Sequence, residues 1–493
     1  MMRSIARRLA LPVLPALPML LLLIPALGAA AGTATEVGLG TTAANETYNE
    51  LRQSVALLAG GGYASVWTEG PVQNRDVRMQ WVRPDGSLVF GPGGLTVANS
   101  PQDENTAVVA ADPSGGAYVA FTRDVMIGSE NAREVRVQLY GANGVPQWPA
   151  DGVLAAPPNV FEFQSEIQLA TDSDGSLFAC LGVFHTFGAD TWDVVCQHMS
   201  PDGRRLWTDQ GLRASYRPGW KVLPKLVEDG HGGLLVFWRN QRHPLSDPQV
   251  QTMLMEGQHF ANDGTRLWGR RGRILRTTNL AEASDYSYSF FGAVSDGAGG
   301  AVVTFNDWNG KWKPTYDVLA QRVSGDGHLL WGDGVTVAGG PLHQQHDAVI
   351  AAPDGGAFVT VWNPDQAQLW LYRLLPSGQV SWRQPVSSTD GGPRPNDFGA
   401  HGSVDGGRLR VAWTHQRQDG TLDIDVYLAV FDLAGHRLNG AAATPITTAP
   451  DAQFLRGFVF DPTRHQGFAV WEDRRKGNWD DLDTIGAIYV EAP

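Results

Sequence analysis

Three aspartates fall within four positions near the C-terminus, Asp480, Asp481 and Asp483, and Arg474 and Arg475 precede them in "EDRRKGNWDDLD". Carboxylates this close can divide acid and base roles, because neighbouring negative charges push one pKa up. Beside them stands Trp479; Trp308 and Trp312 occupy a similar segment, "NDWNGKWKPTYD", and His243 follows Arg242 in "RNQRHPLSDPQV". Aromatic rings next to Asp and Arg suit stacking on a sugar ring or gripping a peptide. The plainer alternative is a set of solvated loops in which Trp pins the loop and Asp pairs with Arg. Cys180 and Cys196 are the only thiols. They sit in "FACLGVF" and "WDVVCQH", nearly equidistant from Gly188, so a disulfide across neighbouring strands is predicted, with two buried thiols as the alternative. His343 and His346 are too thin a pair for a metal site, and none is predicted. No G-x-S-x-G, H-E-x-x-H, Gly-rich phosphate loop or Cys-x-x-Cys occurs. The expectation is therefore no catalytic residue and no cofactor.

Residues like these need a scaffold, and the chain supplies one by repetition. A glycine turn followed by an alternating strand recurs as "GGYASVW", "GGAYVAF", "GGLLVFW", "GGAVVTF", "GGAFVTVW", "GGRLRVAW" and "QGFAVW", with a looser copy, "DGSLFACL". The mean spacing from Gly62 to Gly467 is near 58 residues. Between these markers lies a second set: Asp85-Gly86, Asn143-Gly144, Asp202-Gly203, Asp263-Gly264, Asp326-Gly327, Ser377-Gly378 and Ala434-Gly435. Four residues after each glycine comes Phe90, Trp148, Trp207, Trp268, Trp331, Trp382 or, in the last copy, Asn439. Asp-Gly between alternating apolar runs signals a hairpin, with both turn residues expected at positive φ. Each period then holds four strands, a to d, and no segment shows a helical stripe. Four short antiparallel strands repeated about eight times predict an all-β chain, an eight-bladed β-propeller of four-stranded antiparallel blades. The recurrent Trp is expected to fill the gap between adjacent blades.

The eighth unit stops after strand c, while "EVGLGTTAA", residues 36–44, resembles a d strand. The N-terminal segment is therefore expected to close the ring; the alternative is seven blades plus an irregular extension. Strand direction then places the tight a–b and c–d turns on one face. The long b–c and d–a connections lie on the other, where binding residues are expected. Strand a should line a central channel, and its starts bring Glu50, Glu104, Gln164, Lys221, Tyr288, His346, Asp397 and Gln453 to the channel mouth. That polar ring could hold a ligand or be a hydrated plug.

Residues 1–31 carry Arg3, Arg7 and Arg8, an apolar run from Leu9 to Leu27 and then small residues. This is the layout of a cleaved signal peptide, leaving one domain over 32–493 with no membrane span, in a secreted protein of the periplasm or the cell exterior. The remainder holds 35 basic and 51 acidic residues, a net charge of −16. Such a chain repels phosphate backbones, which excludes nucleic acid as a partner. A monomer that takes a glycan or protein ligand is predicted.

Hairpins such as "DGRRLW" and "GDGHLLW" resemble the repeats of quinoprotein-type eight-bladed propellers, and "WEDRRKGNWDD" followed by "AIYV" is similar to repeats of periplasmic Tol-associated propellers. The resemblance implies the fold. Quinone-dependent members of that class carry adjacent cysteines and a calcium-binding acidic set, and neither is present here. A non-enzymatic binding or scaffold protein is expected, with a carbohydrate-active hydrolase or lyase using the acidic loop cluster as the alternative.

Overall fold

The computed structural model describes residues 32–39, 51–71, 73–159, 162–185, 192–242, 251–280, 290–308, 315–387, 396–417, 423–440, 442–475 and 483–491. Among them there is no helix. The strands form six four-stranded antiparallel sheets and one eight-stranded sheet, which is two such four-strand sets joined, units two and three. The inner strands are Leu51–Leu57, Glu104–Ala111, Glu162–Thr171, Trp220–Glu228, Phe291–Ser295, Gln345–Ala351, Asn396–Asp405 and Gln453–Asp461. Each packs against the inner strand of the next unit, and the last packs against the first, so the units form a closed ring. A single parallel bridge, Phe163 to Arg133, also ties unit three to unit two.

The ring is sealed by the N-terminal strand. Thr33–Gly38 pairs antiparallel with Asp483–Val490, in register from Thr33 opposite Val490 to Gly38 opposite Ile485. The sealing strand thus begins three residues earlier than the expected 36–44, and residues 40–50 lie outside those described. Burial explains the register: Leu39 is fully buried in a cluster with Tyr63, Trp67, Phe468 and Ile488, against which Val37 packs. An exposed sheet edge is thereby covered at the outside of unit eight.

The hairpins differ in detail from the two-residue turn that Asp-Gly suggested. Only the glycines have positive φ, from 75° at Gly144 to 90° at Gly435. In the first, Gly86 N–H donates to Arg83 O at 2.8 Å and Arg83 N–H to Ser87 O at 2.9 Å. That is a three-residue loop whose last residue is left-handed, the geometry that needs glycine. The acid acts through its side chain: Asp85 accepts from Ser87 N–H at 2.9 Å, and Asp263 from Thr265 N–H at 2.9 Å.

The tryptophans do fill the gaps between units, and each carries a hydrogen bond. The indole N–H of Trp148 donates to Pro201 O at 2.9 Å, Trp207 to Asn262 O at 2.8 Å, Trp268 to Gly325 O at 2.9 Å and Trp331 to Pro376 O at 3.0 Å. Every acceptor belongs to the hairpin of the following unit. A Cβ on Gly203, Gly264 or Gly327 would press on the preceding unit's indole, so these glycines are needed for close approach as well as for φ. A strand-c glutamine completes the device. Gln258 accepts from Trp268 N–H at 3.1 Å and donates to Gly269 O at 2.7 Å; Gln138, Gln197 and Gln321 do the same for their own tryptophans. Buried amides are thereby satisfied. In the last copy Asn439 accepts from Val430 N–H and donates to Leu428 O.

Cys180 and Cys196 stand directly opposite on neighbouring strands and form a disulfide. Replacing both by alanine should cost about 3 kcal/mol, the entropy of closing a loop of about 15 residues. Urea titration checks this, and an unchanged midpoint would mean the bond contributes nothing to stability.

Candidate functional site

Five of the expected binding residues, Trp312, Trp479, Asp480, Asp481 and His243, lie outside the described residues, as do Tyr288 and Glu50 of the channel set. Trp308 ends the strand Ala301–Trp308, and its side chain is outside them too. Asp483 opens strand c of unit eight, opposite Asp473. Arg474 donates its backbone N–H to Ala452 O at 2.9 Å and lays its guanidinium over the Phe454 ring, 4.8 Å from the centroid.

Most of the described channel set is committed to partners inside the sheets. Glu104 is fully buried, bonded to Ser100 and to Arg123 Nε at 2.8 Å. Gln164 accepts from Val135 N–H at 3.0 Å, across the boundary of units two and three. Lys221 is buried with its ammonium 3.0 Å from Asp193. Asp397 accepts from Trp413 Nε1 at 2.9 Å and pairs with His415 Nδ1 at 2.7 Å, and Gln453 donates to Pro450 O at 2.9 Å. His346 lines an open cavity.

Just beyond these positions the inner strands share a distortion. Pairing between strands a and b slips between Leu51 and Ser54, Asn105 and Val108, Ser165 and Gln168, Val222 and Lys225, His346 and Ala348, Phe398 and His401, and Leu455 and Gly457. Each slip is a β-bulge, which re-aims a side chain and frees a backbone N–H. Thr106, Glu166 and Leu223 take left-handed φ of 50°, 51° and 60°. Such backbone costs of order 1–3 kcal/mol per residue and persists only where the surroundings hold it.

The holding groups come from the preceding unit. Ser54 Oγ accepts from Val109 N–H at 3.3 Å, and Glu166 Oε2 from Leu223 N–H at 2.7 Å. Asn306 Oδ1 accepts from His346 N–H at 2.6 Å, and Thr414 Oγ1 from Leu455 N–H at 3.1 Å. Asp347 accepts from Gly399 N–H and Ala400 N–H, both at 2.8 Å, and from the Thr360 hydroxyl at 3.0 Å. Around the channel, one unit's polar side chain thus takes up the amide that the next unit's bulge releases.

Against this belt lies a cavity of about 360 Å³ lined by Glu166, Gln168, Leu223, Pro224, Lys225, Phe290, Phe291, His346 and Asp347, from units three to six. It runs along the first part of the inner strands, from Phe291, the first residue of its strand, to Gln168, the seventh of its own. Burial raises the Glu166 carboxyl, against the pull of its bond to Leu223. Burial raises Asp347 to about 6 despite three donors. It lowers Lys225, opposed by the Glu166 charge, and holds His346 neutral down to about 3, helped by Lys225. Farther round the belt His401 is lowered to about 4 by burial and by Arg456. Perturbed groups gathered at one cavity mark a functional site more often than scattered ones do. A larger trough, about 700 Å³, runs along the long hairpin of unit two, but its charges answer one another: Arg123 binds Glu104 and Asp151, and Arg136 binds Glu134.

Glu166, Lys225, Asp347, Phe290 and Phe291 were not among the residues expected from sequence. One signal was there to read: Pro224 interrupts an inner strand, and proline within a sheet marks a bulge or an edge.

A closed ring of four-stranded antiparallel sheets around a channel makes the chain a β-propeller. No protein-family model matches it, and no curated protein matches it. Among solved structures it is similar to a protein of unknown function from Dyadobacter fermentans, at 10% identity and TM-score 0.41, covering 93% of this chain and 99% of that one. It is also similar to an α-L-arabinofuranosidase from Fusarium graminearum in complex with an iminosugar inhibitor, at 10% identity and TM-score 0.37, covering 94% and 98%. Puromycin hydrolase matches at 15% identity and TM-score 0.44, over 86% of this chain and 58% of that one.

Proposed function

We propose that this chain is an exported, non-enzymatic β-propeller that binds a glycan at the long-loop end of its central channel. The observation that carries the reading is the cavity against the bulge belt. Carboxylates, an amine and an imidazole from different units converge there on the rings of Phe290 and Phe291. Hydroxyl donors and acceptors around an apolar ring face are what a sugar presents, and a cavity of this volume lies at the lower end of the range for small-ligand sites. Phe290 is 45% exposed, an aromatic platform left uncovered at the cavity. The signal-like leader and the disulfide support export to an oxidising compartment.

Retention on a glycan array tests it. The wild-type chain should retain a glycan, and Phe290→Ala should weaken binding about 10-fold, as loss of about 1.4 kcal/mol of stacking requires. Its melting temperature should stay unchanged. Binding that survives in Phe290→Ala, and is lost only with Trp308, Trp312 and Trp479 together, would move the site out to the loops.

A second reading, a carbohydrate hydrolase or lyase, has one observation in its favour: two carboxyls with raised pKa line one cavity, as acid and base partners do. Against it, Asp347 and one oxygen of Glu166 already accept backbone N–H bonds. Product release from a polysaccharide, abolished in Glu166→Gln, would decide for it.

A further inference from the structure

The geometry points to a uronate, a sugar carrying one carboxylate, as the residue this cavity takes, with Lys225 binding its carboxylate. The inference rests on the glycan reading above and names the sugar within it.

Most of the acceptor capacity in the cavity is already taken, while a cationic donor is left over. Both oxygens of Asp347 are occupied by Gly399 N–H, Ala400 N–H and the Thr360 hydroxyl, and Glu166 Oε2 by Leu223 N–H. The Lys225 side chain, only partly exposed, makes no hydrogen bond or ion pair among the described residues. Glu166 acts on its charge without touching it. His346 is 4% exposed and lines the same cavity, and its Nε2 has no partner. A cation held out of bulk water without an anion is costly, and leaving a buried imidazole nitrogen unbonded adds to that cost. A ligand carboxylate answers both.

The surroundings narrow the anion further. Glu166 and Asp347 flank the cavity, so a phosphate, with close to two negative charges at neutral pH, meets two carboxyls and one ammonium. A carboxylate brings a single charge in a planar fork. Phe290, Phe291, Leu223 and Pro224 supply apolar surface for the face of a pyranose ring. A free aliphatic acid would use Lys225 but leave the remaining oxygen of Glu166 and the Gln168 amide without the hydroxyls that a sugar offers them.

A matched pair of ligands tests this: a galacturonate or glucuronate trisaccharide and its methyl ester, titrated calorimetrically into the full chain. The free acid should bind at least 10-fold tighter than the ester. Lys225→Met should erase that difference while ester binding remains, and Lys225→Arg should keep part of it. Lys225→Gln serves in its place if the methionine variant fails to fold, judged by circular dichroism. Equal affinity for acid and ester in the wild type would overturn the inference and leave the glycan reading standing. So would an undiminished preference in Lys225→Met, or tighter binding of a sugar phosphate. Binding of no glycan at all, neutral ones included, would overturn both.

Discussion

Trp207→Ala should destabilise the protein by about 4 kcal/mol, the range for removing a buried tryptophan. Trp207 is 9% exposed and packs on Phe260 of the next unit, with ring centroids 5.1 Å apart, and on Phe178 of its own at 5.8 Å. Its indole N–H reaches Asn262 O at 2.8 Å, and Gly264 lies against its ring. Loss of the ring opens a cavity between two sheets that have few other ways to close it, because each is held on its other side by the next junction. Trp207→Phe keeps most of the packing and loses the hydrogen bond, so about 1 kcal/mol is expected. The neighbouring Leu206, 44% exposed, should tolerate alanine to within about 0.5 kcal/mol. Urea titrations of the three variants read these values. A Trp207→Ala chain within 1 kcal/mol of wild type would mean that the repeated tryptophans do not hold the units together.

The two buried histidines of the belt should withdraw stability as pH drops from 6.5 towards 4. Burial lowers His346 to about 3 and His401 to about 4, both from an ordinary 6.5. Between 6.5 and these values the unfolded chain takes up protons that the folded one refuses, so acid favours unfolding. His198, lowered by burial against its bond to Asn262 O, acts in the same direction. Asp347 opposes them: raised from 3.8 to about 6, it binds a proton in the folded state first, so its contribution improves as pH falls through 6. At 1.36 kcal/mol per unit, His346 and His401 each lose about 3 kcal/mol by pH 4 and Asp347 returns nearly as much. These three groups together lose roughly 4 kcal/mol, and Asp172, raised to about 7 by burial and by its neighbour Asp174, returns most of it over the same range. Urea midpoints at pH 7.5 and 4 measure the balance. Between pH 7.5 and 4 the double variant His346→Gln, His401→Gln should gain stability relative to the wild type, and Asp347→Asn should lose it. A double variant whose midpoint shifts with pH just as the wild type's does would mean the two imidazoles are protonated in the folded protein.

How much of this was legible in the sequence follows the range of the interactions. Hairpin glycines, alternating strands and the tryptophan four residues on are local patterns, and they located all but the innermost features. Even there the chemistry was partly hidden: Asp85 looked like a residue for positive φ, whereas it works through its carboxylate. The sealing strand was expected at 36–44 and found at Thr33–Gly38, because register is set by burial of Val37 and Leu39 against residues over 400 positions away. The polar starts of the inner strands pointed to the channel, but Glu104, Gln164, Lys221 and Asp397 are satisfied within or between sheets. The groups at the cavity come slightly later, where bulges turn them inward. A bulge depends on an acceptor one whole unit away, such as Glu166 for Leu223, and no short window of sequence contains both.

The bulge belt also bears on how such a molecule could change its ligand. The glutamine–tryptophan fastening recurs unchanged in four consecutive units, whereas the side chains at the belt are all different: Thr106, Glu166, Leu223, Asp347 and Arg456. On the proposed function, recognition would be concentrated in about one position per repeat, decoupled from the parts that hold the circle shut. A lineage of these proteins could rewrite its specificity like the wheels of a combination lock, one digit at a time, with the casing untouched.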